Sequence, residues 1–199
     1  IGTTNNTTAF GVLWDNTYLY VGMKVMDDTL YNDSTYVHED DSVEIYIDGD
    51  HNHGTTYDSY DRQFVKGWFD STLVEQHGKT TGVLHGSAPV SGGYSIELAI
   101  PRSNLEITPT AGMTLGFSVG YNDDDNGGGR EGQAIWRGTA DNWLDTSALG
   151  DIVLGADQNL ITVPYTSTNL TVDGNVSESD WNIATDVSKT VIGTTNNQT

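Results

Sequence analysis

Acidic side chains form short clusters along this chain, and clustered carboxylates are candidate ligands for a hard cation. Carboxylate and amide oxygens in loops are the ligands that Ca²⁺ prefers in proteins. The sequence therefore predicts Ca²⁺ as a cofactor, with metal ligands drawn from Asp27, Asp28, Asp41, Asp48, Asp50, Asn52, Asp61 and Asp123. The alternative for each of these residues is a solvated acidic loop, as on the surface of a salt-adapted protein.

One of these acidic loops has a distinctive spacing. Asp48, Asp50 and Asn52 occupy alternate positions, which is how a short loop places its oxygen ligands around a cation. The segment is not an EF-hand, because its glycine comes one place too late. His51 and His53 lie in the same loop and could bind a transition metal. Histidines in such loops are more often simply exposed, and that is what we expect here.

The charge balance excludes several classes of partner. The chain has 28 Asp and Glu residues against 8 Lys and Arg, for a formal net charge of -20. Nucleic acids and anionic membranes bind basic surfaces, so we expect neither as a partner. No apolar segment approaches the roughly 20 residues that cross a bilayer, so we expect no membrane insertion. Cys is absent, and no nucleophile elbow, zinc-protease or P-loop motif occurs, so we predict that the chain is not an enzyme.

The elements that would position these side chains are strands, because apolar and polar residues alternate with a period of two. The clearest alternating segments are Leu19 to Val25, Val43 to Asp48, Tyr94 to Ile100 and Leu115 to Tyr121. Glycine-rich turns separate these segments, and no long amphipathic helix pattern occurs. Many short strands in a chain of 199 residues predict an all-β fold, an antiparallel β-sandwich of jelly-roll-like form.

The two ends of the chain carry the same six residues. The segment Ile1 to Asn6 recurs as Ile192 to Asn197, an offset of 191 residues (192 − 1). Self-similarity at a domain-length period is typical of a tandem array, although a chain rich in Thr and Asn could repeat a hexapeptide by chance. We therefore predict that the chain is one period of a tandem array plus a short overlap.

Several ordered motifs resemble family 9 carbohydrate-binding modules. They are Phe10 to Asp15, Tyr18 to Val21, His38 to Asp48, Asp61 to Phe64, Gly93 to Pro101 and Gly116 to Asp123, then Arg130, Trp136 and Trp143 to Leu154. Two further segments, Leu170 to Gly174 and Ser179 to Trp181, resemble the N-terminal stretch of the same family. The resemblance implies a jelly-roll-like sandwich, structural calcium and a sugar slot between two aromatic rings.

The order of these motifs predicts a circularly shifted domain organisation. Residues 1–155 would form the β-sandwich body, and residues 156–199 would be the strand segment that begins the next repeat. The body then lacks its own first strand, and an uncovered sheet edge exposes unpaired backbone groups. Either the C-terminal segment closes its own sandwich, or it supplies this strand to a neighbouring module. The sequence leaves both arrangements open.

The resemblance also implies which residues would bind sugar. Trp143 stands where the family carries one slot tryptophan, and Glu44 where it carries a carboxylate that binds hydroxyl groups. Three other slot positions are replaced, because His38 takes the place of a tryptophan, Val65 of an arginine and Gly120 of a glutamine. Tyr36, Trp68 or Arg62 could build a different slot, so the predicted ligand-binding residues are Trp143, Glu44, His38 and Arg62. The alternative for Trp143 is a tryptophan packed in its own loop.

Because most of that slot is replaced, we predict a non-catalytic repeat module of an extracellular tandem-repeat surface protein, such as a fibre, an adhesin or a surface layer. It would be stabilised by calcium and joined head to tail to neighbouring copies of the same module. The alternative is a functional carbohydrate-binding module that recognises a polysaccharide or glycan. Sequons at Asn5, Asn6, Asn32, Asn169 and Asn175 predict N-glycosylation, which fits an extracellular or cell-surface location.

Overall fold

The computed structural model describes residues 3–155, 161–163, 171–174, 176, 185–186, 190–192 and 194–195. The strands are β1 (Thr3–Thr4), β2 (Thr7–Trp14), β3 (Tyr18–Met26), β4 (Ser42–Asp48), β5 (Asp61–Gly67), β6 (Val74–Glu75), β7 (Leu84–Val90), β8 (Gly93–Pro101), β9 (Thr114–Asp123), β10 (Gly132–Ile135), β11 (Gly150–Leu154), β12 (Ile161–Val163), β13 (Thr185–Asp186), β14 (Thr190–Ile192) and β15 (Thr194–Thr195). Short 3₁₀ turns occupy Val37–Glu39 and Arg102–Asn104. Within these described ranges, none of the helical segments has the length and apolar character that a membrane span requires.

The strands form two main sheets. The first has the order β13-β2-β3-β8-β7, and its described pairs are antiparallel. The second has the order β12-β11-β9-β4-β5-β6, and β10 pairs with the C-terminal half of β9. The central pair of the second sheet, β4 and β9, keeps an unbroken register from Ser42↔Asn122 to Asp48↔Gly116. Since directly opposite residues share a face, this register decides which side chains meet.

The two sheets pack face to face over one apolar core. A single buried cluster contains Val21, Met23 and Val25 from β3, Ile96, Leu98 and Ile100 from β8, Val43, Ile45 and Ile47 from β4, and Leu115, Phe117 and Val119 from β9. These are alternate residues of each strand, because successive side chains point to opposite faces. Between the sheets, the ring centroids of Phe10 and Phe117 lie 6.0 Å apart. The predicted antiparallel β-sandwich is therefore confirmed.

The turn between β7 and β8 shows why glycine is required at the sheet edge. Gly92 has a φ of 77°, in the left-handed region that residues with a Cβ rarely adopt. A Cβ at Gly93 would lie 2.0 Å from the carbonyl oxygen of Val25 on the adjacent β3. The Gly-Gly pair therefore both closes the hairpin and lets β8 pair closely with β3.

The described parts of the C-terminal segment lie against the chain's own body. β12 pairs in parallel with β11, and β13 pairs with β2 through Thr185↔Phe10. The backbone N–H groups of Asp173 and Gly174 donate to Glu97 Oε2 at 3.3 and 3.1 Å. These contacts all lie within one chain, and the choice between closing its own sandwich and supplying a strand to a neighbouring module stays open. The domain boundary after residue 155 stays a prediction, and Ser179 to Trp181 lie outside the described residues.

Candidate functional site

The polar face of the second sheet carries a cleft. On β4 the apolar residues face the core, so the alternate side chains of Glu44 and Tyr46 face outward. Tyr46 pairs with Gln63 on β5, which brings the Gln63 side chain to the same face. Gln133 on β10 lies opposite Asn122 on β9 and extends this polar surface. The two-residue period of four neighbouring strands therefore builds the floor of the cleft.

The cleft has a volume of about 400 Å³. It is lined by His38, Glu44, Tyr46, Gln63, Arg130, Gln133, Ala140 and Trp143. Trp143, which lies in the loop between β10 and β11, keeps 46 % of its surface exposed. The His38 ring stacks on the ring of Tyr36, with centroids 5.7 Å apart and an interplanar angle of 27°. The cleft therefore combines aromatic side chains at its lining with a polar floor.

The Glu44 carboxylate is the centre of that floor, and it is 2 % exposed. Its Oε2 accepts hydrogen bonds from Tyr46 Oη at 2.5 Å and Gln63 Nε2 at 2.8 Å. Its Oε1 accepts from Asn122 Nδ2 at 2.7 Å and Gln133 Nε2 at 3.1 Å. These donors come from all four strands of the floor and compensate the buried charge, so they hold the carboxylate in one orientation.

Arg130 adds a positive charge at the edge of this network. Its Nη1 lies 3.5 Å from Glu44 Oε1 and donates to Asn122 Oδ1 at 2.9 Å. The Arg130 side chain is 21 % exposed, so the rest of the guanidinium can face a ligand. The cleft thus presents both donors and acceptors in fixed positions, which is what recognition of hydroxyl groups requires.

The loop that carries Trp143 is fastened on both sides of that residue. Leu144 O accepts the N–H of Tyr57 at 3.1 Å, and Asn142 O accepts the Tyr57 hydroxyl at 2.5 Å. Thr146 N–H donates to Gly54 O at 2.9 Å. The segment after β4 therefore supports the exposed tryptophan from behind.

The structure brings three of the four predicted ligand-binding residues, Trp143, Glu44 and His38, to this cleft. Arg62 does not line it, and its inclusion was wrong. On β5 the residue next to it, Gln63, faces the cleft, so Arg62 points to the opposite face and is 1 % exposed. Its Nε donates to Asn104 O at 2.5 Å, and its Nη2 lies 3.5 Å from Glu106 Oε1.

Sequence reasoning missed five lining residues, Tyr46, Gln63, Arg130, Gln133 and Ala140. Tyr46 and Gln63 could have been found, because each lies two residues from Glu44 or from Val65 on a predicted strand. Gln133 and Arg130 could not have been assigned in this way. Their places depend on how β10 pairs with β9, and the sequence does not give that register.

A second group of charged residues lies where β3 and β9 end and β4 begins. The carboxylates of Asp27, Asp41 and Asp123 are all buried, and their oxygens come within 4.8 Å of one another. Burial raises the pKa of Asp27 and of Asp41, and the charge of Asp27 raises the pKa of Asp41 further. Burial raises the pKa of Asp123 to about 7, and the charges of Asp125 and Asp27 add to this shift. The group therefore crowds three carboxyl groups together, and each of them releases its proton at a higher pH than usual.

Asn6 lies over this acidic group, and its predicted glycosylation was wrong. Asn6 is fully buried, and its Nδ2 donates to Asp27 Oδ2 at 3.1 Å and to Asp123 Oδ1. A glycan cannot be attached to a nitrogen in that position. Asn5 and Asn32 are exposed, so their glycosylation stays a prediction. Asn169 and Asn175 lie outside the described residues.

The remaining predicted metal ligands are spread over two places. Asp28 joins Asp27 and Asp125 in a neighbouring group of carboxylates within 4.8 Å. In the loop after β4, both oxygens of Asp48 accept backbone N–H groups, from Asn52 at 3.2 Å and His53 at 2.9 Å.

Hydrogen bonds within the loop also involve the side chains of Asp50 and Asn52. Asn52 Nδ2 donates to Asp50 Oδ2 at 3.1 Å. Burial raises the pKa of Asp61 to about 6, with neighbouring carboxylates adding to it. Both oxygens of Asp48 are used within the loop, whereas Asp61 Oδ1 is buried without a hydrogen-bond partner. Metal binding by Asp48, Asp50, Asn52 and Asp61 stays a prediction.

Comparison with known proteins is consistent with the cleft. A family described as "Carbohydrate family 9 binding domain-like" matches residues 1–156. This chain belongs to that family. It is 31 % identical over 155 residues to an endo-1,4-beta-xylanase A of Thermoanaerobacterium saccharolyticum, a match that covers 77 % of this chain and 13 % of the xylanase. The chain thus spans only a small part of the length of that relative.

Solved structures of family 9 modules have the same fold. A module from Caldicellulosiruptor kristjanssonii in complex with cellotriose superposes with a TM-score of 0.72 at 24 % identity, covering 79 % of this chain and 80 % of that one. A module from the same organism in complex with glucose gives a TM-score of 0.71 at 25 % identity, covering 80 % and 82 %. The predicted resemblance to family 9 modules is confirmed.

These findings overturn the main functional prediction. The chain is not assigned as a structural repeat of a fibre, adhesin or surface layer, because both its family and its structural neighbours are carbohydrate-binding. The prediction relied on the replacement of three slot residues by His38, Val65 and Gly120, together with the repeated hexapeptide and the displaced first strand. It did not foresee that Gln63, Arg130 and Gln133 line the cleft of this chain.

Proposed function

We propose that this chain is a carbohydrate-binding module that holds a sugar ring in the cleft between His38 and Trp143. The observation that carries the proposal is the combination of an exposed indole with a fixed polar floor in one cleft of about 400 Å³. Small-molecule sites typically measure about 300–1,000 Å³ and place a few polar groups among apolar ones. The cleft has both properties.

The chemistry of a pyranose matches the two parts of the cleft. One face of the ring presents C–H groups, which pack on an aromatic face such as that of Trp143. The hydroxyl groups at the ring's edge need donors and acceptors, and these are supplied by Arg130 and by the amide groups of Gln63 and Gln133, which the Glu44 carboxylate orients. His38, backed by Tyr36, would contact the opposite face of the sugar.

Family membership supports a glucose-type or xylose-type ligand. A similar module binds glucose, and the similar curated relative is a xylanase, an enzyme of β-1,4-linked polymers. We infer that the chain itself binds such a polysaccharide without cleaving it, and that it works outside the cell, where these polymers are found. A tandem neighbour, as the repeated hexapeptide predicts, would add a second cleft and raise avidity.

Isothermal titration calorimetry with glucose, cellotriose and xylotriose tests this proposal. We expect binding of at least one of these sugars by the unmodified chain. Glu44→Gln should weaken it at least about tenfold, because a hydrogen bond to a charged group contributes about 1.5–3 kcal/mol. Glu106→Gln is the matched control, since Glu106 lies outside the cleft and pairs with Lys79. No binding of any of the three sugars would contradict the proposal, as would equal affinities of the two variants.

We infer further that Asp27, Asp41 and Asp123 hold a calcium ion. The residues fit such an ion, because three buried carboxylates converge and Asn6 Oδ1 and Asp123 Oδ2 are buried without a hydrogen-bond partner. Hard oxygen ligands of this kind suit Ca²⁺. A bound cation would neutralise the carboxylates, whereas an unpaired buried charge is costly. The ion would thus fasten the ends of β3, β4 and β9, which belong to both sheets.

Thermal unfolding in calcium and in EDTA tests the calcium site. A ligand that binds only the folded state stabilises it, so chelation should lower the melting temperature. Asp41→Asn should remove most of this difference between the two buffers. Asp141→Asn, a change at an exposed aspartate, should leave it intact. An equal melting temperature in both buffers for the unmodified protein would contradict the proposed calcium site.

A further inference from the structure

A third group of metal-ligating side chains lies outside both the cleft and the buried carboxylates. His51 Nε2 is 2.9 Å from Asp151 Oδ1, and His53 Nε2 is 3.2 Å from the same oxygen. The two imidazole rings are 4.5 Å apart between centroids. The histidines come from the loop after β4, whereas Asp151 is the second residue of β11. The fold therefore adds a carboxylate to a histidine pair that we expected to be simply exposed.

The backbone holds both histidines in an uncommon conformation. His51 has a φ of 55° and His53 a φ of 51°, both in the left-handed region. A residue other than glycine is strained in this region and persists there only where its surroundings enforce the conformation. Here Asp48 enforces it by accepting the N–H of His53 at 2.9 Å. The result is that two rings separated by one residue converge on a single point.

The hydrogen bonding of His53 leaves its ligand atom available. Its Nδ1 lies 3.2 Å from the carbonyl oxygen of Thr146, which can only accept a hydrogen bond. The proton of the neutral ring is therefore on Nδ1, and the lone pair of Nε2 faces the Asp151 carboxylate. A lone pair and a carboxylate oxygen repel each other unless the ring takes up a second proton or a metal cation lies between them. A carbonyl that orients the second nitrogen is also the usual arrangement of a metal-binding histidine.

From this geometry we propose that His51, His53 and Asp151 bind a divalent transition-metal ion of the zinc type. Tetrahedral zinc has ligand distances of about 2.0–2.1 Å, which places neighbouring ligand atoms about 3.3 Å apart. The two observed nitrogen–oxygen distances, 2.9 and 3.2 Å, are close to that value. Two imidazoles favour such an ion over Ca²⁺, which prefers oxygen ligands. The three side chains are 30–37 % exposed, so water can complete the coordination.

The ion would also brace the loop that carries Trp143, a consequence that rests on the proposed sugar binding. His53 contacts Thr146 O, and the Thr146 N–H donates to Gly54 O. Tyr57, three residues further on, is bonded to both neighbours of Trp143. A metal ion that fixes His51 and His53 to β11 thus stiffens the support of the indole. Less ordering would then be required of that loop when sugar binds.

Titration of the whole chain with ZnCl₂ in excess CaCl₂ tests the metal site, because calcium occupies the hard oxygen sites. We expect a single Zn²⁺ per chain by calorimetry, and a tetrahedral absorption spectrum when CoCl₂ replaces zinc. His53→Asn should weaken Zn²⁺ binding by at least about tenfold. Removing a residue that only hydrogen-bonds to a metal ligand already weakens metal binding by about tenfold or more, and His53 is proposed as a ligand itself. Asparagine is chosen because it tolerates the left-handed backbone. Asp151→Asn should have a similar effect, and His77→Gln is the control.

The proposal is overturned if Zn²⁺ binds the unmodified chain no more tightly than it binds Asp151→Asn or His53→Asn. It is also overturned if His77→Gln loses as much affinity as those variants, since zinc would then bind without regard to the cluster. Asp151→Asn does not change the loop that holds the two histidines. It therefore still tests the metal site if His53→Asn fails to fold. The cobalt spectrum needs no sugar, so a failure of this proposal can be told apart from a failure of sugar binding.

Discussion

Replacing Trp143 with alanine should weaken sugar binding about hundredfold while leaving the fold intact. Trp143 is 46 % exposed, and since a tryptophan can bury up to about 250 Å², roughly 115 Å² remains available to a ligand. A sugar ring on one indole face would cover about 60 Å² of it and lose a similar area itself. At about 25 cal/mol per Å², this contact contributes about 3 kcal/mol. Each 1.4 kcal/mol is about tenfold in Kd, which gives the stated loss.

The assay is calorimetric titration of Trp143→Ala with the sugar that binds the unmodified chain best, accompanied by thermal unfolding. The melting temperature should change by less than about 4 °C, because the indole lies outside the core and 1 kcal/mol corresponds to about 2–4 °C in a domain of this size. Phe69→Asn is the control, since Phe69 is 70 % exposed and does not line the cleft. Asparagine also tolerates the φ of 57° at that position.

Two results would refute the reasoning. An affinity of Trp143→Ala within about threefold of the original would mean that the indole does not stack on the sugar. An equal loss in Phe69→Asn would mean that the sugar binds elsewhere. A large drop in the melting temperature of Trp143→Ala would instead support the alternative of a tryptophan packed in its loop.

Three further predictions concern the rest of the molecule. His38→Trp should tighten sugar binding by about two- to tenfold in the same titration, because an aromatic contact adds about 0.5–1.5 kcal/mol; unchanged or weaker binding would mean that His38 does not face the sugar. In EDTA, urea unfolding should show stability falling as pH rises from 5 to 7. The folded state holds protons on Asp41 and Asp123 that the unfolded state has released, and each such proton changes the free energy of unfolding by about 1.4 kcal/mol per pH unit. Saturating calcium should flatten this dependence, and a flat profile in EDTA would contradict the raised pKa values. Phe117→Ala should lower the free energy of unfolding by about 3–5 kcal/mol, because Phe117 is fully buried against Phe10; a loss below about 1 kcal/mol by urea titration would show that the sheets are not packed there.

The cleft shows how far sequence reasoning reached. Glu44 and Trp143 were identified from motifs, and the alternation of β4 already placed Glu44 on the face away from the core. The same alternation put Arg62 on the wrong side of β5 for sugar binding, yet the prediction included it. That error was avoidable, because Arg62 and Phe64 share a face and Phe64 belongs to the core.

The metal sites show a different limit. Asp27, Asp41 and Asp123 were each predicted as ligands, but nothing in the sequence showed that these three carboxylates meet. Nor did it show that both oxygens of Asp48 bond to the backbone of their own loop. Similarly, the histidine pair was visible in the sequence, but its carboxylate partner was not. Asp151 reaches His51 only because β11 pairs with the first half of β9 beside β4.

By itself the sequence determined the antiparallel sandwich, the acidic character of the chain and the faces of its strands. These depend on local properties, namely the two-residue period of a strand and the balance of charges. The tertiary structure alone decided which strands are neighbours and in which register they pair. Side chains from distant segments meet only through that pairing, so the cleft floor around Glu44, the buried carboxylates and the His51–His53–Asp151 group could be seen only in the folded chain.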